Sequence, residues 1–541
     1  MTRFKLLSAL LAATLCASAA AQSSQPDAST AAQQLNELRD QLKQQQEKID
    51  QLSTSLADLK STDAGLTETV VANQASLSDA ITSPATLHYK GVEITPIGFF
   101  AAEGAYRSRS LNSDINTPFN SQTFPGYAQY NTSELNFSAR QSRLGVLAVG
   151  KLGKATLNGY FEGDMLGSGT TSNDNQSNSY VFRQRLFFGQ AAFTSGWTIT
   201  GGQTWSLVTE TKTSTDARSE VLPQTPDAQY VVGFSWARQP GFRVAKKSGN
   251  FTTAFSFEQT ENIFSASNAY DNFFIGNVGT SGGLFNAFNG NYTNNLTPDM
   301  IVKFTYDNKR WGHYEIGGVS RYFRDRVYPG YATTAQNATA QVGQNDSKLG
   351  GGIFANAHFI ANKYFEVGLH GMFGPGVGRY GSSSLPDTTV HPDGTLEPIK
   401  SSQGLFTIVY HPTPKLDVFG YAGGEYAQRT VYNYNGKLTG YGPWTNNVSG
   451  CDTETGPSAS SGYGPGTPAN CSATTRDLLE GTLSLVYRFY NGPKGRVQTN
   501  VAWSYLKRET WSGLNTGVAL GSSSPFGNNN MVFTSLRYYL P

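Results

Sequence analysis

Apolar positions along this chain follow one of two periods, and the change between them divides it. From Leu35 they recur in steps of three and four. Leu35, Leu42, Ile49, Leu56, Asp63, Val70 and Leu77 share one heptad position, and Leu38, Gln45, Leu52, Leu59, Leu66, Asn73 and Ala80 share another. This spacing predicts a helical coiled coil over 35–81, strongest up to Leu59 and weaker beyond Gly65. At 1.5 Å per residue such a helix reaches about 70 Å, and one helix cannot bury its own seam. A parallel stalk joining identical chains is expected, with Gln45, Asp63 and Asn73 setting its register; a helix folded back on its own chain is the alternative.

After a linker at 82–93 the period falls to two. In 180–206, Arg183, Arg185 and Phe187 are predicted on one face of a strand and Phe182, Leu186 and Phe188 on the other, with Gln184 the odd polar member. The chain turns at Ser195-Gly196 and returns as Trp197 and Ile199 against Thr198 and Thr200. Gln184 and Gln190, both read onto the outward face, point to a subunit contact there more than to lipid. About sixteen such segments follow one another over 94–541, among them 134–149, 154–164, 228–238 and 249–260. Links of a few residues alternate with long polar stretches at 107–133, 165–179, 207–227, 261–298, 325–347, 375–401, 429–475 and 509–529. Short turns at one end and long loops at the other predict an all-β transmembrane barrel of about 16 antiparallel strands, preceded by the coiled coil. A soluble β-sandwich is the competing architecture.

Composition bears on the address. The first 21 residues carry Arg3 and Lys5, an apolar run from Leu6 to Leu15, and Ala19-Ala20-Ala21, the pattern of a secretory signal peptide; a polar spacer fills 22–34. No other run approaches the roughly 20 apolar residues of a membrane helix. Without the leader's two basic residues, the 41 basic residues balance the 39 acidic ones, which argues against nucleic acid as a partner. Cys451 and Cys471 are expected to form a disulfide in an exported chain, closing a loop and contributing about 3 kcal/mol.

The chain resembles the DcaP-like family of trimeric outer-membrane porins. The residues that carry the resemblance are the heptads, Ser138–Val146 (SARQSRLGV), Phe161-Glu162-Gly163-Asp164, and Arg183-Gln184-Arg185 leading to Gly202-Gln203-Thr204-Trp205-Ser206. The resemblance implies a coiled coil before a sixteen-stranded barrel, a homotrimer, and transport of organic anions such as dicarboxylates. The chain departs from porins of this type at its end, Tyr538-Tyr539-Leu540-Pro541, where an aromatic residue is usual.

Sixteen strands leave an aqueous lumen, so the expected activity is diffusion of small polar solutes. In porins the third long loop usually folds inward; here 207–227 carries Glu210, Lys212, Asp216, Arg218 and Glu220, acids and bases that would set a transverse field. Arg183, Arg185 and Arg140 are the wall candidates, with Lys303 and Arg488 on other strands. Arg143, out of phase with Arg140, would reach the lumen only through a bulge. Guanidinium groups hold carboxylates in a fork, hence a modest preference for organic anions. No catalytic residue, metal or cofactor is expected: six histidines, at 88, 313, 358, 370, 391 and 411, sit in no recognisable nucleophile motif. Expected partners are small anionic solutes, outer-membrane lipid and lipopolysaccharide, further copies of the chain and, through the stalk, the cell wall. Expected placement is the outer membrane, with the coil periplasmic and the long loops outside. A structural or adhesive role is the alternative.

Overall fold

The computed structural model describes residues 36–60, 86–168, 172–174, 177–276, 293–328, 343–456 and 468–541. The expected leader, the expected spacer and the part of the expected coil beyond residue 60 lie outside them. Residues 36–60 form a helix, α1. Its heptad residues Leu38, Leu42, Ile49, Leu52, Leu56 and Leu59 are each between 56% and 69% exposed, so nothing among the described residues covers them.

The second unit, from Thr86 onward, is a closed barrel. Its sixteen strands are β1 (Val92–Arg107), β2 in two pieces (Glu134–Ser138 and Arg143–Leu152), β3 (Ala155–Gly167), β4 (Val181–Phe193), β5 (Trp197–Trp205), β6 (Arg238–Ser248), β7 (Phe251–Glu258) and β8 (Asp299–Asn308). They continue as β9 (Gly312–Val327), β10 (Gln344–Ile360), β11 (Phe365–Pro375), β12 (Lys400–Thr413), β13 (Leu416–Ala427), β14 (Thr475–Gly492), β15 (Gly495–Thr510) and β16 (Phe526–Tyr539). Each pairs antiparallel with its sequence neighbours. The ring closes where β16 lies against β1, from Phe99 opposite Tyr539 to Arg107 opposite Met531. Closure removes the exposed edges that an open sheet of this size would carry.

Alternation is plain on the outer face. On β14, Leu479, Leu483, Leu485 and Phe489 are exposed while Glu480, Thr482 and Ser484 are buried inside. On β7, Phe251, Phe255 and Phe257 face out, with Thr252, Ser256 and Glu258 in. An apolar exterior around a polar interior is the arrangement of a membrane barrel and the reverse of a soluble sandwich.

Three local departures from simple alternation matter. On β4 a bulge makes Arg185 an extra residue: Gly163 lies opposite Gln184 and Glu162 opposite Leu186. The face therefore flips after Arg185, and the expected phase is wrong from there on. Leu186 and Phe188 are buried inside, whereas Phe187 is 59% exposed. Gln190 bonds to Asn158 and Thr200 on the inner face and is not part of an outward contact. On β2, residues 139–142 form a turn that adds one residue against β1. The expected strand at 228–238 is not a strand at all. Val231, Val232 and Phe234 belong to the third loop and are buried in the lumen, and the strand proper is Arg238–Ser248. The alternation that suggested a strand there comes from a loop packed on two sides.

Candidate functional site

The third loop, 206–237, enters the barrel and spans its interior. Its apolar residues Leu207, Val208, Val231, Val232 and Phe234 are almost fully buried against inward side chains of the wall. Its backbone is held mainly by wall carboxylates. The amide of Leu207 donates to Glu258 on β7 at 2.8 Å, that of Thr211 to Glu315 on β9 at 3.0 Å, and that of Ser214 to Asp307 on β8 at 3.1 Å. On the far side, Val232 donates to Glu480 on β14 at 2.7 Å and Gly233 to Glu425 on β13 at 2.9 Å. Hydrogen bonds to a charged acceptor are each worth about 1.5–3 kcal/mol. Glycines let the loop approach closely. A Cβ on Gly423 of β13 would stand 1.8 Å from the Val232 carbonyl oxygen, and Gly233 itself has φ +85°.

The sixth loop, 376–399, also turns inward, which the sequence reading missed. Tyr380, Leu385, Val390, Leu396 and Ile399 are fully buried, and Tyr380 accepts the Trp236 amide through its carbonyl. Arg321 on β9 fixes this loop through Asp387 at 2.7 Å while bonding Asp299 at 3.1 Å. The apolar run that could have revealed it is broken by polar residues and reads as an ordinary long loop.

Two cavities flank the third loop, separated by the stretch Leu222-Pro223-Gln224, which lines both. The larger, about 730 Å³, opens among the short-turn ends of β8 to β15 and is lined by Glu210 and Lys212 of the loop and by Arg488 of the wall. The smaller, about 130 Å³, is lined by Arg143 and Arg537 and by no carboxylate. A third hollow, about 1120 Å³, lies near the long loops and takes in Arg140, Asp114, Glu134 and Tyr180.

Arg183 and Arg185 stand together, but not bare. Arg183 binds Asp164 with both Nε (3.0 Å) and Nη2 (2.9 Å); Arg185 reaches Glu162 at 2.8 Å and Asp164 at 2.9 Å. Arg143 joins them through Glu162 at 3.3 Å, and the extra residue in β2 is what turns it inward. Arg238, at the start of β6, lies within electrostatic range of Arg183, Arg185 and Asp164. Its guanidinium rests near the rings of Trp205 (5.4 Å) and Trp236 (5.1 Å), and its Nε and Nη1 have no hydrogen-bond acceptor among the described residues. Sequence reasoning passed over Arg238 because it fell at the end of the misplaced strand. Four guanidinium groups thus face two carboxylates here, a surplus of two positive charges.

The other candidates scatter. Arg218 extends from the loop to 4.8 Å from the Tyr160 ring, beside the same cluster, and its amide donates to Glu220. Asp216 is exposed on the loop. Arg140 is separate, bonded to Asp114 at 2.9 Å and stacked 3.6 Å from Tyr180. Lys303 is fully buried beneath the loop, with Glu315 at 2.7 Å and the Thr209 carbonyl at 2.9 Å, so it braces the loop and does not meet the lumen. Burial and the neighbouring Glu315 carboxylate push Glu210 up to about 8. Cys451 and Cys471 are joined in a disulfide, packed with Phe124, Tyr127 and Val448.

A sixteen-stranded barrel with an apolar exterior and a polar interior narrowed by its third loop is the fold of outer-membrane porins. Among solved structures, the chain is similar to the outer membrane channel DcaP of Acinetobacter baumannii, at 15% identity and a TM-score of 0.55, over 84% of this chain and 99% of that one. A looser likeness is to OmpF of Salmonella typhi, at 8% identity and a TM-score of 0.43, over 84% and 100%. No known family profile matches the sequence, and neither does any curated protein.

Proposed function

We propose that this chain is an outer-membrane diffusion channel for small polar solutes with a modest preference for organic anions such as dicarboxylates. The observation that carries the reading is the division of labour among the lumen charges. Five wall carboxylates are occupied by loop amides, while the Arg143, Arg183, Arg185 and Arg238 cluster keeps a surplus of two positive charges. A chain that is neutral overall thus holds a local surplus of positive charge beside the third loop, and Arg143 carries it to the wall of the smaller cavity. Guanidinium groups stay charged at any physiological pH and match carboxylates in shape.

The exposed heptad face of α1 supports assembly: a face more than half exposed in one chain is covered when parallel copies wind together, and the resemblance to trimeric porins makes a homotrimer the expected number. In this reading α1 lies in the periplasm, the short turns share that side, and the long loops with the Cys451–Cys471 disulfide face outward. The test is conductance of the purified protein in planar bilayers under a salt gradient. Channels with a reversal potential on the anion side, blocked in part by a small dicarboxylate, are the expected result; no conductance overturns the channel, and cation preference overturns the anion reading.

A further inference from the structure

A second charged element lies in the larger cavity, away from the arginine cluster. His358 near the end of β10 bonds Glu366 on β11 through Nε2 at 3.0 Å. The other Glu366 oxygen lies 3.5 Å from Nε2 of His411 on β12, whose Nδ1 is 2.6 Å from Asp417 on β13. Asp417 in turn pairs with Arg488 on β14. The string crosses five consecutive strands at their short-turn ends. Both rings are partly open to the cavity, at 20% and 31% side-chain exposure, whereas His313 and His370 are buried in the wall.

We propose that His358, Glu366, His411 and Asp417 form a second selectivity element at the short-turn mouth, one whose sign is set by pH. With both imidazoles neutral, Glu366, Asp417 and Arg488 sum to minus one; with both protonated the same string is plus one. Imidazole is the side chain that makes this change between about pH 5 and 8. A protonated His411 ring donates from both nitrogens, one to each of its two carboxylates, while a neutral ring donates from one. The string therefore accepts the added charge without breaking its contacts.

The surroundings set the background. Asp307 of β8 and His313 of β9 line the same cavity, and Glu315 of β9 bonds His313 behind it. His370 of β11, Arg496 of β15, Lys309 of the β8–β9 turn, and Glu210 and Lys212 of the third loop complete the charged lining. His313 has Asp307 and Glu315 at 2.8 Å on its two nitrogens, and His370 faces Ser235 and Asn356. Burial and Glu315 push Glu210 up to about 8, above the interval from pH 5 to pH 7 that the test covers.

The proposal rests on the chain conducting ions, and its test separates the two. Reversal potentials are measured in dilute KCl gradients at pH 7 and pH 5 for the full-length protein, for the double variant His358→Gln with His411→Gln, and for Glu366→Gln. Two added charges a few ångströms from the path raise the anion-to-cation permeability ratio by about ninefold on acidification. The double variant loses most of that rise and keeps its conductance at pH 7. Glu366→Gln, which keeps both rings, has a higher ratio already at pH 7 and still responds to acid. A wild-type ratio indifferent to pH, or a rise undiminished in the double variant, overturns this proposal alone. A protein without conductance at either pH overturns the channel reading as well.

Discussion

Replacing Arg238 with glutamine probes the arginine cluster without dismantling it. Arg238→Gln lowers the surplus from two charges to one. Because Nε and Nη1 of Arg238 have no acceptor among the described residues, the change orphans no carboxylate among them. Arg185→Gln, by contrast, strips donors from Glu162 and Asp164 in a nearly buried site, where breaking a pair costs about 3–5 kcal/mol. A unit charge acting on a solute about 6 Å away is worth about 0.7 kcal/mol in a water-like lumen, or about threefold in local anion concentration, and more where the effective dielectric falls. Screening at 0.1 M salt, with a Debye length of about 10 Å, leaves much of that effect in place. The assay is the reversal potential of single channels in 0.1 M against 0.02 M KCl, and the expected result is an anion-to-cation ratio about threefold lower with similar conductance. A ratio that stays the same or rises refutes the idea that this cluster sets selectivity.

Further outcomes are expected elsewhere. Gly423→Val places a side chain where the Val232 carbonyl already stands, so it should dislodge the third loop and give larger, noisier conductance steps with the barrel's β-sheet spectrum unchanged; quiet wild-type steps would contradict the packing. Raising the pH through about 8 should loosen the same loop, seen as faster protease nicking within 206–237. Glu210 is held above its ordinary range, so its contribution to stability is complete at low pH and is lost as its carboxyl ionises, and Glu210→Gln should remove the effect. Reducing Cys451–Cys471 should destabilise the seventh long loop by about 3 kcal/mol, read as protease sensitivity, with selectivity untouched. Deleting 35–81 should weaken the oligomer in detergent and leave the barrel folded; an equally robust oligomer would assign the helix another purpose.

The barrel was legible because its strands are two-faced over many residues, and a period of two survives small errors of boundary. Single-residue insertions were not legible. The bulge at Arg185 reverses the facing of Leu186, Phe187 and Phe188, yet nothing in the residue types distinguishes it from regular alternation. The segment around Val231, Val232 and Phe234 misled for a related reason: apolar residues buried by a loop look like those buried by a strand. Arg183 and Arg185 were found, but their carboxylate partners, Arg238 beside them, and the inward sixth loop depend on strands far apart in sequence. The role expected for Lys303 changed because the third loop covers it.

The clamps on the third loop grip its main chain. Glu258, Glu315, Asp307, Glu480 and Glu425 accept from backbone amides, which every residue except proline offers. The barrel thus holds the loop as a socket holds an interchangeable insert. Side chains at positions such as Lys212, Asp216 and Arg218 can be exchanged without loosening the grip, which makes this scaffold a natural host for channels engineered to pass a different solute.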